Sequence, residues 1–310
     1  MVRPLQEIYQ LIRELDSLNT GKQAAARLVE RGPLAIEPLR RFLLEGIPRK
    51  IFQPRLWAVE ALARLGAKDV LREYLCQIRK IPDPEDRFGE EAVESAAARF
   101  LAVWPGEDVY QSLLKLSERR MLIGLIEALA EYKRLETISY FVRALGDDFY
   151  RPAAEEALQK FGIAACSALA LSAVTPCPNF SMETPSSLQR RRSAVWLLNK
   201  MGMPAEYWQI LRKLINEPDG ELFLAASKLG VRLASKEDRV IVAHRLMELI
   251  SSAPWYLRRD IEDNLVALKN ETSEEIEEEI VQRMKQPEEV RAMDERLRTL
   301  LGVQHRFDKE

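Results

Sequence analysis

Histidine and cysteine, the side chains that do most metal and acid–base chemistry, are scarce: 310 residues hold two His and three Cys. His244 lies in VIVAHRLMELI and His305 in the C-terminal tail. Neither has a second His or Cys at metal-ligand spacing, so no zinc site is expected. A Ser–His–Asp or Cys–His arrangement would have to be built on His244, which reads instead as a half-buried helix residue. Neither G-x-x-x-x-G-K nor G-x-G-x-x-G occurs, so no phosphate-cradling loop is expected. Paired carboxylates (Glu90–Glu91, Asp147–Asp148, Glu155–Glu156) recur, and on solvated helices they are background. The sequence assigns no catalytic residue, no metal ligand and no cofactor.

Arginine carries the chemistry that remains. It clusters as Arg40–Arg41, Arg119–Arg120, Arg190–Arg191–Arg192 and Arg258–Arg259. Guanidinium forks suit phosphate and carboxylate, so the same residues fit an anion-binding track or an internal ladder of ion pairs. Lys and Arg total 46 against 48 Asp and Glu, a net charge of −2. That balance disfavours a non-specific nucleic-acid binder, whose affinity grows with the phosphates it neutralises.

The elements that would position these residues are helices. A pattern of small residues, a leucine-like residue and a Gly or polar stop occurs eight times. The copies are AAARLVERG (24–32), AVEALARLG (58–66), AAARFLAVWPG (96–106), GLIEALAEYK (124–133), AAEEALQKFG (153–162), SAVWLLNKMG (193–202), LAASKLG (224–230) and IEDNLVALKN (261–270). The mean step is about 34 residues, one helical hairpin per repeat. Between copies, Leu135, Ile138, Phe141, Val142 and Leu145 keep the spacing of a helix buried on one face. Glycines 32, 66, 162, 202 and 230 stand where helices would end. No stretch alternates with period two. The expected fold is all-α: an α-solenoid of stacked antiparallel hairpins, about eighteen helices and no sheet.

These repeats resemble HEAT repeats, particularly the HEAT-like subgroup of the phycobilisome-lyase type, written V-R-x-x-A-A-x-A-L-x-x-L-G. The copy most like it is YRPAAEEALQKFG (150–162). The resemblance covers residues 20–270. It implies a superhelix with a concave surface, and an Arg ladder pairing with Asp. Asp147 and Asp148 stand before Arg151 as that ladder requires, whereas Arg55 and Arg191 lack the Asp.

Stacked hairpins would align Lys22, Arg55, Arg120, Arg151, Arg191 and Arg258 as a candidate stripe for an anion or a partner, flanked by Trp57 and Trp196. Tryptophan is expected in the core; exposed beside the arginines, it would serve base stacking or partner binding. The stripe is either that surface or an intramolecular ladder.

Three segments interrupt the array: residues 46–54 and 81–90, both with proline, and 174–187 (VTPCPNFSMETPSS). The expected organisation is repeats over 1–173, the Pro-rich loop 174–187, repeats over 188–270, and charged capping helices with a tail over 271–310. In the last part Ser273 caps one helix, Pro287 starts another, and Ile276, Ile280, Val281 and Met284 form a buried stripe. No secretory signal and no membrane span is expected, because no run of about 18 apolar residues occurs. Three scattered cysteines fit a reducing cytoplasm, and a Cys166–Cys177 disulfide is not expected.

The functional expectation is a non-catalytic protein–protein interaction scaffold using the concave surface. A HEAT-like DNA-binding protein or alkylpurine DNA glycosylase is the alternative that the fold resemblance implies, without a residue to match its catalytic acid. A bilin lyase-like protein is the second. A protein partner is expected, and nucleic acid is the weaker expectation.

Overall fold

The structure is a computed structural model that describes residues 2–179 and 182–309. Among these residues the chain is all-α. The first ten helices are α1 (Val2–Glu14), α2 (Gly21–Glu30), α3 (Ile36–Glu45), α4 (Gln53–Arg64), α5 (Lys68–Cys76), α6 (Pro84–Leu101), α7 (Glu107–Ser117), α8 (Ile123–Tyr132), α9 (Ile138–Ala144) and α10 (Arg151–Phe161). The others are α11 (Cys166–Ala173), α12 (Pro185–Met201), α13 (Trp208–Leu211), α14 (Gly220–Leu233), α15 (Lys236–Leu249), α16 (Arg258–Ala267), α17 (Lys269–Met284), α18 (Glu288–Met293) and α19 (Glu295–Phe307). Extended pairing is confined to two residues a side, Pro178–Asn179 against Met182–Glu183, within the Pro-rich segment.

The chain forms two compact units, Met1–Ala144 with Asp148–Lys160, and Leu145–Asp147 with Phe161–Glu310. The 174–187 segment lies inside the second unit, where it joins α11 to α12. In the first unit α1/α2, α3/α4, α5/α6 and α7/α8 pack as hairpins, and the inner helices α2, α4, α6 and α8 pack in succession. In the second, α11/α12, α13/α14, α15/α16 and α17/α19 pair, with α12, α14, α16 and α19 as the inner row.

The small-residue copies explain the inner rows. Ala58, Ala61, Ala97, Ala98, Ala128 and Ala130 are buried, and their short side chains let helix backbones approach. At one crossing even alanine is too large. A Cβ on Gly124 of α8 would overlap the Ser95 carbonyl of α6. Leucines fill what remains: Leu28, Leu62, Leu101, Leu129 and Leu158 are fully buried. Each such side chain contributes roughly 1.5–3 kcal/mol relative to exposure.

Four of the five stop glycines behave as expected. Gly32, Gly66, Gly162 and Gly202 have positive φ at helix ends, where a Cβ would be strained. Gly230 does not end a helix. It lies inside α14, and a Cβ there would meet Trp208 Cη2 at 2.8 Å, so this glycine makes room for a ring.

Helix starts correct the expected loop bounds. The loop placed at 81–90 ends at Asp83, whose carboxylate accepts hydrogen bonds from the Glu85 and Asp86 backbone N–H at 2.8 and 3.0 Å, and Pro84 opens α6. Thr184 likewise caps α12. At the C-terminus, α17 begins at Lys269, so Ser273 lies within it and is not a cap. Ile276 and Ile280 are buried, whereas Val281 and Met284 are exposed. Asp294 caps α19, whose Leu297, Leu300, Val303 and Phe307 are buried. α19 packs against α16 and α17, and the single helix expected from Pro287 is divided into α18 and α19.

Candidate functional site

Of the eight stripe residues, Lys22, Arg55, Trp57, Arg120 and Arg151 belong to the first unit, and Arg191, Trp196 and Arg258 to the second. Most of the arginines have carboxylate partners. Arg55 on α4 is buried. Its Nε and Nη2 donate to Glu90 Oε2 and Oε1 at 3.0 and 2.9 Å, and its Nη1 to the Gly46 carbonyl at 3.2 Å. Arg191 on α12 is also buried, donating to Glu183 at 2.5 Å, to the Ala173 carbonyl at 2.8 Å and to Glu217. Arg120 donates to Glu94 at 3.3 Å, Arg151 to Asp148 at 2.5 Å, and Arg258 to Glu295.

These bonds are those of an internal ladder. Glu90, Glu217 and Glu295 lie about one repeat further along the chain than their arginines, Glu94 lies one repeat back, and Asp148 is the partner that the repeat pattern anticipated. Arg55 and Arg191 are closed to a phosphate or a partner in this conformation. Lys22 is exposed on α2. Trp57 packs its ring against Gly21, which holds α4 to α2. Trp196 is 45% exposed, with Lys200 Nζ 4.7 Å above its ring.

Glu90 is the centre of a buried network in the first unit. Besides Arg55 it accepts from the Tyr74 hydroxyl at 2.9 Å and from Arg79 Nη1 at 3.1 Å. Arg79 Nη2 also donates to the Leu43 and Leu44 carbonyls at 2.9 and 2.7 Å, satisfying the end of α3. Both guanidiniums approach the Tyr74 ring, at 5.8 and 5.4 Å from its centroid. Burial, with the Glu90 charge beside it, pushes the Tyr74 hydroxyl well above its ordinary range. Burial, with Arg55 near, lowers Arg79. Two cations thus share one carboxylate away from water.

Glu94, one turn on, is poised differently. Its Oε1 faces Arg120, and its Oε2 is buried with no hydrogen-bond partner among the described residues. Burial raises its pKa from 4.5 to about 7; Arg120 opposes the rise and Glu90 and Glu91 add to it. The folded state therefore binds a proton that the unfolded state releases, and stability falls as pH rises from about 4.5 through 7. The span is on the order of 3 kcal/mol. Glu94→Gln, which keeps the neutral form at every pH, is expected to flatten that slope and to raise stability at pH 8. Urea unfolding of both proteins at pH 5 and pH 8 measures it; a variant less stable than wild type at pH 8 refutes it.

Hollows open on both units. In the first unit, one of about 260 Å³ lies across the inner helices and is lined by Phe52, Leu56, Phe88, Glu91, Ala92, Ser95, Ala96, Arg99, Leu122, Ile123, Phe149 and Tyr150. Phe88 and Phe149 are 57% and 53% exposed, which is high for phenylalanine. A wider one of about 560 Å³ carries both signs, Arg49 and Lys50 against Asp16, Asp83, Glu85 and Asp86. Much of that charge is internally matched: Asp86 accepts from the Lys50 backbone N–H at 2.7 Å, and Lys50 pairs with Glu85 at 3.4 Å.

In the second unit, a hollow of about 430 Å³ is lined by Trp196, Lys200, Leu224, Lys228, Leu257 and Asp260 among others. Lys228 and Asp260 pair at 3.0 Å. Trp255 and Tyr256 stand exposed in the turn before α16, and the Tyr256 hydroxyl donates to Glu221 at 2.7 Å.

The sequence reading passes over Tyr74, Arg79, Glu94 and the phenylalanines of the hollow, and it treats Glu90 as half of a solvated acidic pair. The one signal that could have found Glu90 is its offset of 35 residues from Arg55, one repeat. Among the described residues no group of three or more His, Cys, Asp or Glu is placed to hold a metal ion, and no helix is long and apolar enough to cross a membrane. The three cysteines are free, Cys166 buried and Cys76 and Cys177 exposed. No protein-family model matches this chain, and no curated protein matches its sequence.

Proposed function

We propose that the protein is a non-catalytic binding protein, a HEAT-like α-solenoid that engages a protein partner through its inner helices. The observation that carries this reading is the exposure of large aromatic side chains beside hollows on those helices. Phe88 and Phe149 flank the hollow of the first unit; Trp196 lines that of the second, where Trp255 and Tyr256 are exposed in the turn before α16. Aromatic anchors of this kind dominate the energetics of protein interfaces. The succession of inner helices in each unit supports the solenoid reading, because such arrays present side chains from consecutive repeats to one partner.

The nucleic-acid reading is weaker. Arg55 and Arg191, which would have been central to a phosphate track, are buried against Glu90, Glu183 and Glu217. A cytoplasmic setting accords with the three free thiols.

The test is affinity capture with the full chain as bait, beside Phe149→Ser and Trp196→Ser variants. A partner held by the wild type and lost by one variant or both is the expected result. A gel shift at low salt, where phosphate contacts are strongest, is expected to show no duplex DNA complex. A saturable DNA complex, or a capture profile identical for bait and variants, would overturn the proposal.

A further inference from the structure

The 260 Å³ hollow of the first unit has an unusual lining. Phe88, Phe149 and Tyr150 form a continuous wall of inclined rings. The Phe88 and Phe149 centroids are 6.1 Å apart at 57°, and those of Phe149 and Tyr150 are 5.2 Å apart at 79°. Phe52 faces into the same hollow, and Leu56, Leu122 and Ile123 add methyl groups.

Two glycines help to build it. A Cβ on Gly89 would sit 2.7 Å from the Arg49 carbonyl and 3.3 Å from Phe52 Cβ, so glycine there lets the Phe52 loop close against α6. Gly124 does the same for α8 against Ser95.

Two charged residues reach the hollow. Arg99 is matched by Glu127 on α8, with which it makes a bidentate pair. Glu91 makes no ion pair among the described residues, and it is only partly exposed. The wall is therefore apolar, electron-rich on its ring faces, and carries one unmatched negative charge.

We infer that this hollow is a cage for a quaternary ammonium group, held by Phe52, Phe88, Phe149 and Tyr150 with Glu91 as the counter-charge. Ring faces attract a cation most strongly when it has little water to lose. A trimethylammonium group meets that condition, and it has no N–H donors. A guanidinium would bring five donors to a site offering few acceptors, and the unmet ones would oppose binding. The volume, just below the roughly 300 Å³ of the smallest common ligand pockets, suits a headgroup or the end of one side chain. On the reading of a protein-binding surface, the group is carried by a trimethylated lysine of the partner. Free choline has the same chemistry.

The experiment follows the methyl NMR signals of Leu56, Leu122 and Ile123 in the full chain. The probes are choline, its neutral isostere 3,3-dimethylbutan-1-ol, and a short peptide with trimethyl-lysine or unmodified lysine. Choline is expected to shift those signals at least about tenfold more tightly than the isostere. Glu91→Gln and Phe149→Leu, both at accessible positions, are expected to weaken choline with the remaining spectrum unchanged. Equal binding of choline and isostere, or no shift with either, overturns the cage. Choline binding with no preference for the methylated peptide keeps the cage and removes its protein ligand. Peptide binding indifferent to methylation and to Glu91→Gln keeps the protein-binding reading and removes the cage.

Discussion

Glu90→Ala is expected to lower the stability of the first unit by about 3–5 kcal/mol, a large share of the roughly 5–15 kcal/mol by which a domain is ordinarily stable. The loss does not come from one missing contact. Without the carboxylate, Arg55 is left fully buried and Arg79 nearly so, and the Tyr74 hydroxyl loses its acceptor. A pair of uncompensated guanidiniums away from water is a far larger cost than a lost surface ion pair, which is worth roughly 0–1 kcal/mol. Glu90→Gln keeps the shape and removes the charge, so it is expected to lose less than alanine and still to be destabilised. Circular dichroism during urea unfolding measures the change. Trp57 and Trp104 lie in the first unit, so tryptophan fluorescence follows that unit in a chain whose second-unit tryptophans, Trp196, Trp208 and Trp255, are replaced by phenylalanine. A Glu90→Ala protein within about 1 kcal/mol of wild type would mean that the network is as dispensable as a surface pair.

Arg191→Ala is the matching expectation in the second unit, also about 3–5 kcal/mol. Arg191 is 4% exposed and joins three elements to α12: the Ala173 carbonyl at the end of α11, Glu183 from the Pro-rich segment, and Glu217 after α13. Its removal strands two carboxylates and a carbonyl together. Lysine is not an adequate replacement, because one ammonium cannot reach three acceptors set around a planar fork. The second readout is proteolysis. Glu183 and Arg191 hold the residues just before α12 to that helix, so faster cleavage next to Glu183 should accompany the loss. Unchanged cleavage with unchanged stability would show that the pairing is incidental.

The repeat was legible because its cause is local. An inner helix needs small residues where it meets its neighbours, and Ala-rich copies ending in glycine record that need along the chain. Ala58, Ala97 and Ala154 are buried as the copies suggest, and Gly32, Gly66, Gly162 and Gly202 take the left-handed conformation at helix ends. Gly230 misled because a ring, not a helix end, demanded it. In a single sequence the two causes leave the same letter.

The ion-pair partners were not legible for a different reason. Glu90 sits beside Glu91 and looks like any solvated acidic pair, yet Glu90 is 1% exposed and Glu91 faces a hollow. What separates them is about 100° of rotation on α6 and a partner 35 residues away. Nothing within one helix encodes that. The arginines were recognised as a set, but whether they face solvent or glutamate depends on the next hairpin. The aromatic wall escaped for the same reason: Phe52 before α4, Phe88 in the second turn of α6 and Phe149 before α10 are brought together only by packing.

The offset of those pairs has a mechanical meaning. Arg55–Glu90, Arg72–Asp108, Arg99–Glu127 and Arg120–Glu94 span 35, 36, 28 and 26 residues in the first unit. Arg191–Glu217, Arg192–Asp219 and Arg212–Asp238 span 26, 27 and 26 in the second. Each pair links a hairpin only to its neighbour. A load drawn along the chain would therefore break these bonds in series rather than all at once. Pairs that join the same two hairpins would yield together, and each such set would release a hairpin's length of slack before the next came under tension, so either unit would yield in steps, as a row of clasps does.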